Sequence, residues 1–125
     1  MHKDTIKPKV STATPTGTGI GRGTNIAATF SEKMSPTSIT NSTFKLFKVT
    51  SSGTTQVTNV TVMLSSDGLK ATLNPYGTSS TLLGARTKYK AVVTTGAEDL
   101  AGNRLDQNST TTGNQQKTWT FTTKG

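Results

Sequence analysis

The run "VTVMLSSDGLKATL", residues 60–73, decides what kind of protein this is. Val60, Val62 and Leu64 fall on one side of an extended chain, and so do Leu69, Ala71 and Leu73. Between the two halves, "SSDG" at 65–68 puts Asp67 and then Gly68 where a tight reversal needs a residue of positive φ. The reading is a β-hairpin with one buried face.

The same period of two recurs on both sides of it. "VSTATP" at 10–15 is a first strand ending at a proline, and "NIAATF" at 25–30 sets Ile26, Ala28 and Phe30 on one face. "TFKLFKV" at 43–49 turns Phe44 and Leu46 one way and Phe47 and Val49 the other. "TKYKAVVTT" at 87–95 aligns Tyr89, Ala91 and Val93, while "KTWTFTT" at 117–123 sets Trp119 and Phe121 against threonines. About seven strands between Gly, Asn, Ser and Pro clusters predict an all-β, Greek-key, immunoglobulin-like β-sandwich. Its expected core is Ile26, Phe30, Phe44, Leu46, Val62, Leu73, Tyr89, Val93, Trp119 and Phe121.

Helix is scarce. Ser35 followed by Pro36 suits the start of a single helical turn at 35–39, and "EDLAGN" at 98–103 suits a second, ending on Gly102 or Asn103 in left-handed geometry.

Composition agrees with this reading. The chain is 30% hydrophobic and 16% charged, and its 125 residues suit one domain. Roughly a third of them are Ser or Thr, a bias that favours strands and turns. There is no cysteine, hence neither a disulfide framework nor thiolate chemistry, and the single histidine is His2. Zinc sites and serine-histidine catalysis need several such groups converging in a pocket, so both are excluded. "MHKDTIKPKV" at 1–10 lacks the apolar run of a signal peptide, and no segment is apolar enough to span a bilayer. Residues 1–8 are expected as a disordered tail and 9–124 as one domain, cut from a larger protein.

A net charge of +8 and a pI near 10.1 would draw polyanions such as nucleic acid or anionic cell-wall polymers. The charge is spread out, however: Lys3, Lys7 and Lys9 crowd the N-terminus, and Lys45, Lys48, Lys88 and Lys90 fall among strand residues. Lysines there keep sheet faces soluble and guard sheet edges from pairing.

Several motifs coincide in order: "TPTGTG" at 14–19, "ATFSEKMSPTSI" at 28–39, "LKATLNP" at 69–75, "TKYKAVV" at 87–93, "DLAGNRL" at 99–105 and "WTFTT" at 119–123. Together they resemble the Ig-like domains found, often in tandem, in bacterial and archaeal S-layer and other cell-surface proteins, and beside catalytic domains in secreted enzymes. The resemblance runs from about Lys9 to Lys124. It implies that Phe30 and Met34 anchor a strand and its exit, that Asp99, Gly102 and Asn103 form a turn, and that Phe121 closes a sheet. The stretches 74–86 and 106–117 depart from the family pattern and mark where a specific function would have been added.

The candidate sites each meet a plainer account. The glycines of "GTGIGRG" at 17–23 have neither dinucleotide-binding nor P-loop spacing, and a strand-to-strand turn explains them. Glu32, Asp67, Glu98, Asp99 and Asp106 all fall in expected turns, which is no arrangement for paired catalytic carboxylates. Calcium would take Glu98, Asp99, Asn103 and Asp106 with loop carbonyls, whereas a capped turn explains all but Glu98 with no ligand. The sequons at Asn41, Asn59 and Asn108 are no more than chance supplies in a chain this rich in Ser and Thr. Tyr89 sits between Lys88 and Lys90 but alternates to the opposite face, so it offers no base-stacking platform.

The sequence thus predicts a non-catalytic structural spacer of a larger extracellular or cell-surface protein, needing no cofactor, with neighbouring domains as partners. The alternative is a module binding an anionic cell-wall polymer or polysaccharide; nucleic acid ranks third, and membrane insertion is not expected.

Overall fold

The computed structural model describes residues 7–57, 60–75, 83–107, 113 and 115–124. Nine strands among them form two sheets. One is antiparallel and contains β1 (Val10–Thr14), β3 (Ile26–Phe30), β6 (Thr61–Leu64) and β7 (Lys70–Asn74), in the order β1-β3-β7-β6. The other contains β2 (Gly17–Ile20), β4 (Phe44–Thr50), β5 (Gly53–Gln56), β8 (Lys88–Val93) and β9 (Lys117–Thr123), in the order β2-β9-β8-β4-β5. Its pairs are antiparallel except β2 with β9, which run parallel. This is the immunoglobulin-like sandwich that alternation predicts, with two more strands than expected.

Both extra strands lie at sheet edges. β2 occupies "GTGI", where a turn was expected; the turn comes later, with the amide of Thr24 bonded to the carbonyl of Gly21. β5, "GTTQ", is exposed throughout and owes its conformation to pairing with β4. The hairpin read from residues 60–73 is β6–β7, with Val62 opposite Leu73 and Gly68 at φ +74°. At its tip, the Ser65 hydroxyl and the Leu69 amide bond to Asp67 and hold that carboxyl below its ordinary pKa.

The core lies between the two inner faces. Ile26, Phe30 and Leu73 from one sheet meet Phe44, Leu46, Tyr89, Val93, Trp119 and Phe121 from the other, and all are buried. Val62 is only partly buried, because β6 is the outer strand of its sheet and has a neighbour on one side alone. Tyr89 stacks on Phe121 with ring centroids 5.6 Å apart, and Phe44 tilts against Trp119 at 5.9 Å. The Tyr89 hydroxyl accepts the Gly84 amide at 2.9 Å, so its polar end is satisfied, while the buried Trp119 Nε1 has no acceptor among the described residues.

A single 3₁₀ turn, Pro36–Ser38, follows Ser35. The Ser35 side chain does not cap it and lies 3.1 Å from the Thr37 hydroxyl instead. The second expected turn, at 98–103, is not helical: Glu98 bridges to Arg104, and Asp99 bridges to Met34. Pro8 is fully buried and its carbonyl accepts the Asp106 amide, so residues 7 and 8 join the folded unit, whereas residues 1–6, with His2 and Lys3, lie outside the described residues.

These contacts fix two poles. Val10 begins β1 opposite Phe30 at the end of β3, and beside it lie the end of β8 and the start of β9. At the other end, the amide of Lys124 bonds to Ile20 and its carbonyl accepts from Arg86, next to the start of β8. The chain enters at an N-terminal pole and leaves at the opposite, C-terminal one.

Candidate functional site

The segment from Ala97 to Gln107 holds the N-terminal pole together. Its centre is Asp99, 2% exposed. One carboxylate oxygen, Oδ1, accepts the amides of Ala101 at 2.9 Å and Asn103 at 2.8 Å, and Oδ2 accepts the side-chain amide of Asn103 at 3.0 Å. The chain turns tightly enough for this because Gly102 takes φ +87°, where a Cβ would be strained. Burial opposes ionisation of Asp99, yet hydrogen bonds with the Glu32 side chain, Asn103 and Ala101 outweigh it and hold the carboxyl below its ordinary pKa.

The four residues that calcium would need are not brought to one point. Glu98 turns to Arg104, with Oε2 and Nε 3.7 Å apart. Asp106, also buried, accepts the Gln115 amide at 3.0 Å and has Lys7 Nζ 4.0 Å from its other oxygen. Only Asp99 and Asn103 meet, and Asn103 presents its NH₂ to Asp99 rather than an oxygen to a cation. Among the described residues, no three Asp, Glu or His side chains gather as a metal would require.

Two features of the pole were not legible in the sequence. Gln107 pairs with Val10 in both directions, accepting its amide at 2.8 Å and donating to its carbonyl at 2.9 Å, so that one side chain replaces a missing strand neighbour. The Ser38 hydroxyl does the same for Glu98, accepting its amide at 2.9 Å and donating to its carbonyl at 3.1 Å. A Gln or Ser in a polar loop carries no signal of such a partner 60 or 97 residues away.

Two shallow grooves flank Leu100, which is 66% exposed. One, of about 410 Å³, is bounded by Glu32, Lys33, Leu100 and Ala101; the other, of about 250 Å³, runs past Met34, Pro36 and Leu64. The second also borders Ser65 and Asp67, whose hydrogen bond closes the tip of the β6–β7 hairpin. Among the sequons, Asn41 lies in the exposed turn before β4, whereas Asn59 and Asn108 lie outside the described residues, as do most of the divergent stretches 74–86 and 106–117.

The architecture and the order of its motifs meet in one comparison. The profile of the family described as "Bacterial Ig-like domain" matches residues 4–123. The chain belongs to that family. No curated protein matches this Ig-like domain. Among solved structures it resembles the S-layer protein rSbsC(31-844), at 22% identity and a TM-score of 0.59, covering 95% of this chain and 14% of that one. It also resembles the N-terminal part of the bacterial S-layer protein SbsC, at 20% identity and a TM-score of 0.61, covering 95% of this chain and 24% of that one. A third likeness is to native Escherichia coli alpha-2-macroglobulin, at 12% identity and a TM-score of 0.62, covering 96% and 6%. The Ig-like domain therefore spans a quarter or less of each of these chains. At such identities the likeness concerns the fold.

Proposed function

We propose that this Ig-like domain is a non-catalytic, load-bearing spacer of a larger cell-surface or secreted protein. The observation that carries the reading is the placing of its ends. The chain enters at one pole and leaves at the other, and β2, near the start, lies parallel to β9, at the end. Tension on the two ends pulls β2 and β9 in opposite directions along their length, so their hydrogen bonds are loaded together rather than one at a time. Family membership and the multidomain S-layer chains that share the fold support the same reading.

Force spectroscopy on a concatemer of the domain tests it. Lys124→Pro deletes the amide that bonds to the Ile20 carbonyl at 2.9 Å. The variant is expected to unfold at lower force with its thermal midpoint little changed. Equal forces for variant and wild type would refute the clamp, and a wild type that yields as easily as a disordered chain would refute the spacer.

The spacer is further proposed to need no metal. A ligand that binds only the folded state must raise the melting midpoint, so thermal melts in EDTA and in millimolar calcium are expected to coincide. A clear rise with calcium would make the turn at 97–106 a cation site.

A further inference from the structure

The charge of this domain is segregated. Around the N-terminal pole lie all five described carboxylates, Glu32, Asp67, Glu98, Asp99 and Asp106. Five cations, Lys7, Lys9, Lys33, Lys70 and Arg104, balance them there. Of the rest, Arg22, Arg86 and Lys124 surround the C-terminal pole. Lys45, Lys48, Lys88, Lys90 and Lys117 stand on the five-stranded sheet, whose strands carry no acidic residue among the described residues. Lys3 and Asp4 cancel, so these last eight cations account for the whole net charge of +8.

Three of the lysines share the outer face of that sheet. Tyr89, Ala91 and Val93 point into the core, which turns Lys88 and Lys90 outward; Phe44 and Leu46 point inward, which turns Lys45, Phe47 and Val49 outward. In the register, Lys90 stands opposite Phe47, Lys88 opposite Val49, and Lys45 opposite Val92. The half-buried Phe47 is thus bordered by Lys45 along its own strand and by Lys90 across it. On the far side of β8, Thr118, Thr120 and Thr122 lie opposite Val92, Lys90 and Lys88. Strand geometry sets such neighbours about 4.8 Å apart across the sheet and about 6.7 Å apart along it.

We infer that this outer face binds an anionic polysaccharide with carboxylates on its sugar rings. Closely spaced ammonium groups with no competing carboxylate meet a polymer whose charge recurs from ring to ring. Phe47 with Val49 supplies the apolar platform for one ring face, and the threonine column offers hydroxyls to those of the sugar. A single-stranded nucleic acid would instead need several exposed aromatics to stack successive bases, and this face has one. The face runs along the side of the sandwich from Lys45, beside the end of β8, to Lys88 at its start, and binding there does not depend on the spacer reading.

The test titrates the domain with polygalacturonate at low salt, with dextran as the neutral polymer and oligothymidylate as the nucleic acid. Polygalacturonate is expected to bind, more weakly as salt is added, and dextran is not. Combining Lys45→Gln, Lys88→Gln and Lys90→Gln is expected to weaken binding about tenfold or more, whereas Lys9→Gln, Lys33→Gln and Lys70→Gln, which remove the same charge from the N-terminal pole, change it less than about threefold. Phe47→Ser is expected to weaken it several-fold while leaving the salt dependence unaltered. Thermal melts establish that each variant is folded, and the single exposed Lys88→Gln serves if the triple variant is not. Absence of binding, equal losses from the two triples, or oligothymidylate bound as tightly as polygalacturonate would each overturn the inference.

Discussion

Phe121→Ala is expected to destabilise the domain by about 3–5 kcal/mol. The ring is 1% exposed, stacks on Tyr89 at 5.6 Å, and in the register of β9 stands between Gly17 of β2 and Tyr89 of β8. Truncation removes apolar surface from the middle of the sandwich and leaves a cavity that the surrounding strands, locked in their hydrogen-bond ladders, cannot close. Gly17 has no side chain to move into the space. Domains of this size are stable by about 5–15 kcal/mol, so the loss is a large share of the whole. A urea or guanidinium denaturation series checks it. A loss below about 1 kcal/mol would mean that this face of β9 is not the core.

The ease with which the sequence yields that core, and the difficulty of the rest, have one physical origin. Strands with a buried face must alternate, and β3, β4, β7, β9 and β8 as far as Ala91 do, which is why Ile26, Leu46, Leu73, Val93 and Phe121 could be read in advance. β5 buries nothing, and β2 buries only part of Ile20, so neither carries a hydrophobic period; their conformation comes from a neighbour supplied elsewhere in the chain. The hairpin tip was legible because Asp67 and Gly68 answer a local backbone demand. The turn at 98–103 showed its Asp, Gly and Asn, yet its form depends on Glu32 and Met34, which the chain brings back from far away. Likewise, the clustering of charge on one sheet is invisible in a sequence where lysines are scattered, and emerges only from the strand order.

Asp99→Ala is expected to be the most damaging change among the polar residues, at about 2–4 kcal/mol. The carboxylate is 2% exposed and satisfies the Ala101 and Asn103 amides and the Asn103 side chain; alanine leaves these donors facing each other without an acceptor. Asp99→Asn should do less harm, because an amide oxygen still accepts from the two backbone groups while the charge and the bond to Asn103 Nδ2 are lost. The pH dependence separates this account from one of shape alone. The folded carboxyl titrates below its ordinary value of 3.8, so its contribution is complete at pH values above that and fades as the pH falls through the lower folded value. The stability gap between wild type and Asp99→Asn, measured by denaturation, is therefore expected to be constant from neutral pH down to about 5 and to narrow below about 4. A gap that stays constant through the acid range would show that Asp99 contributes its shape and not its charge, and that the ionised turn does not hold the pole where the chain enters.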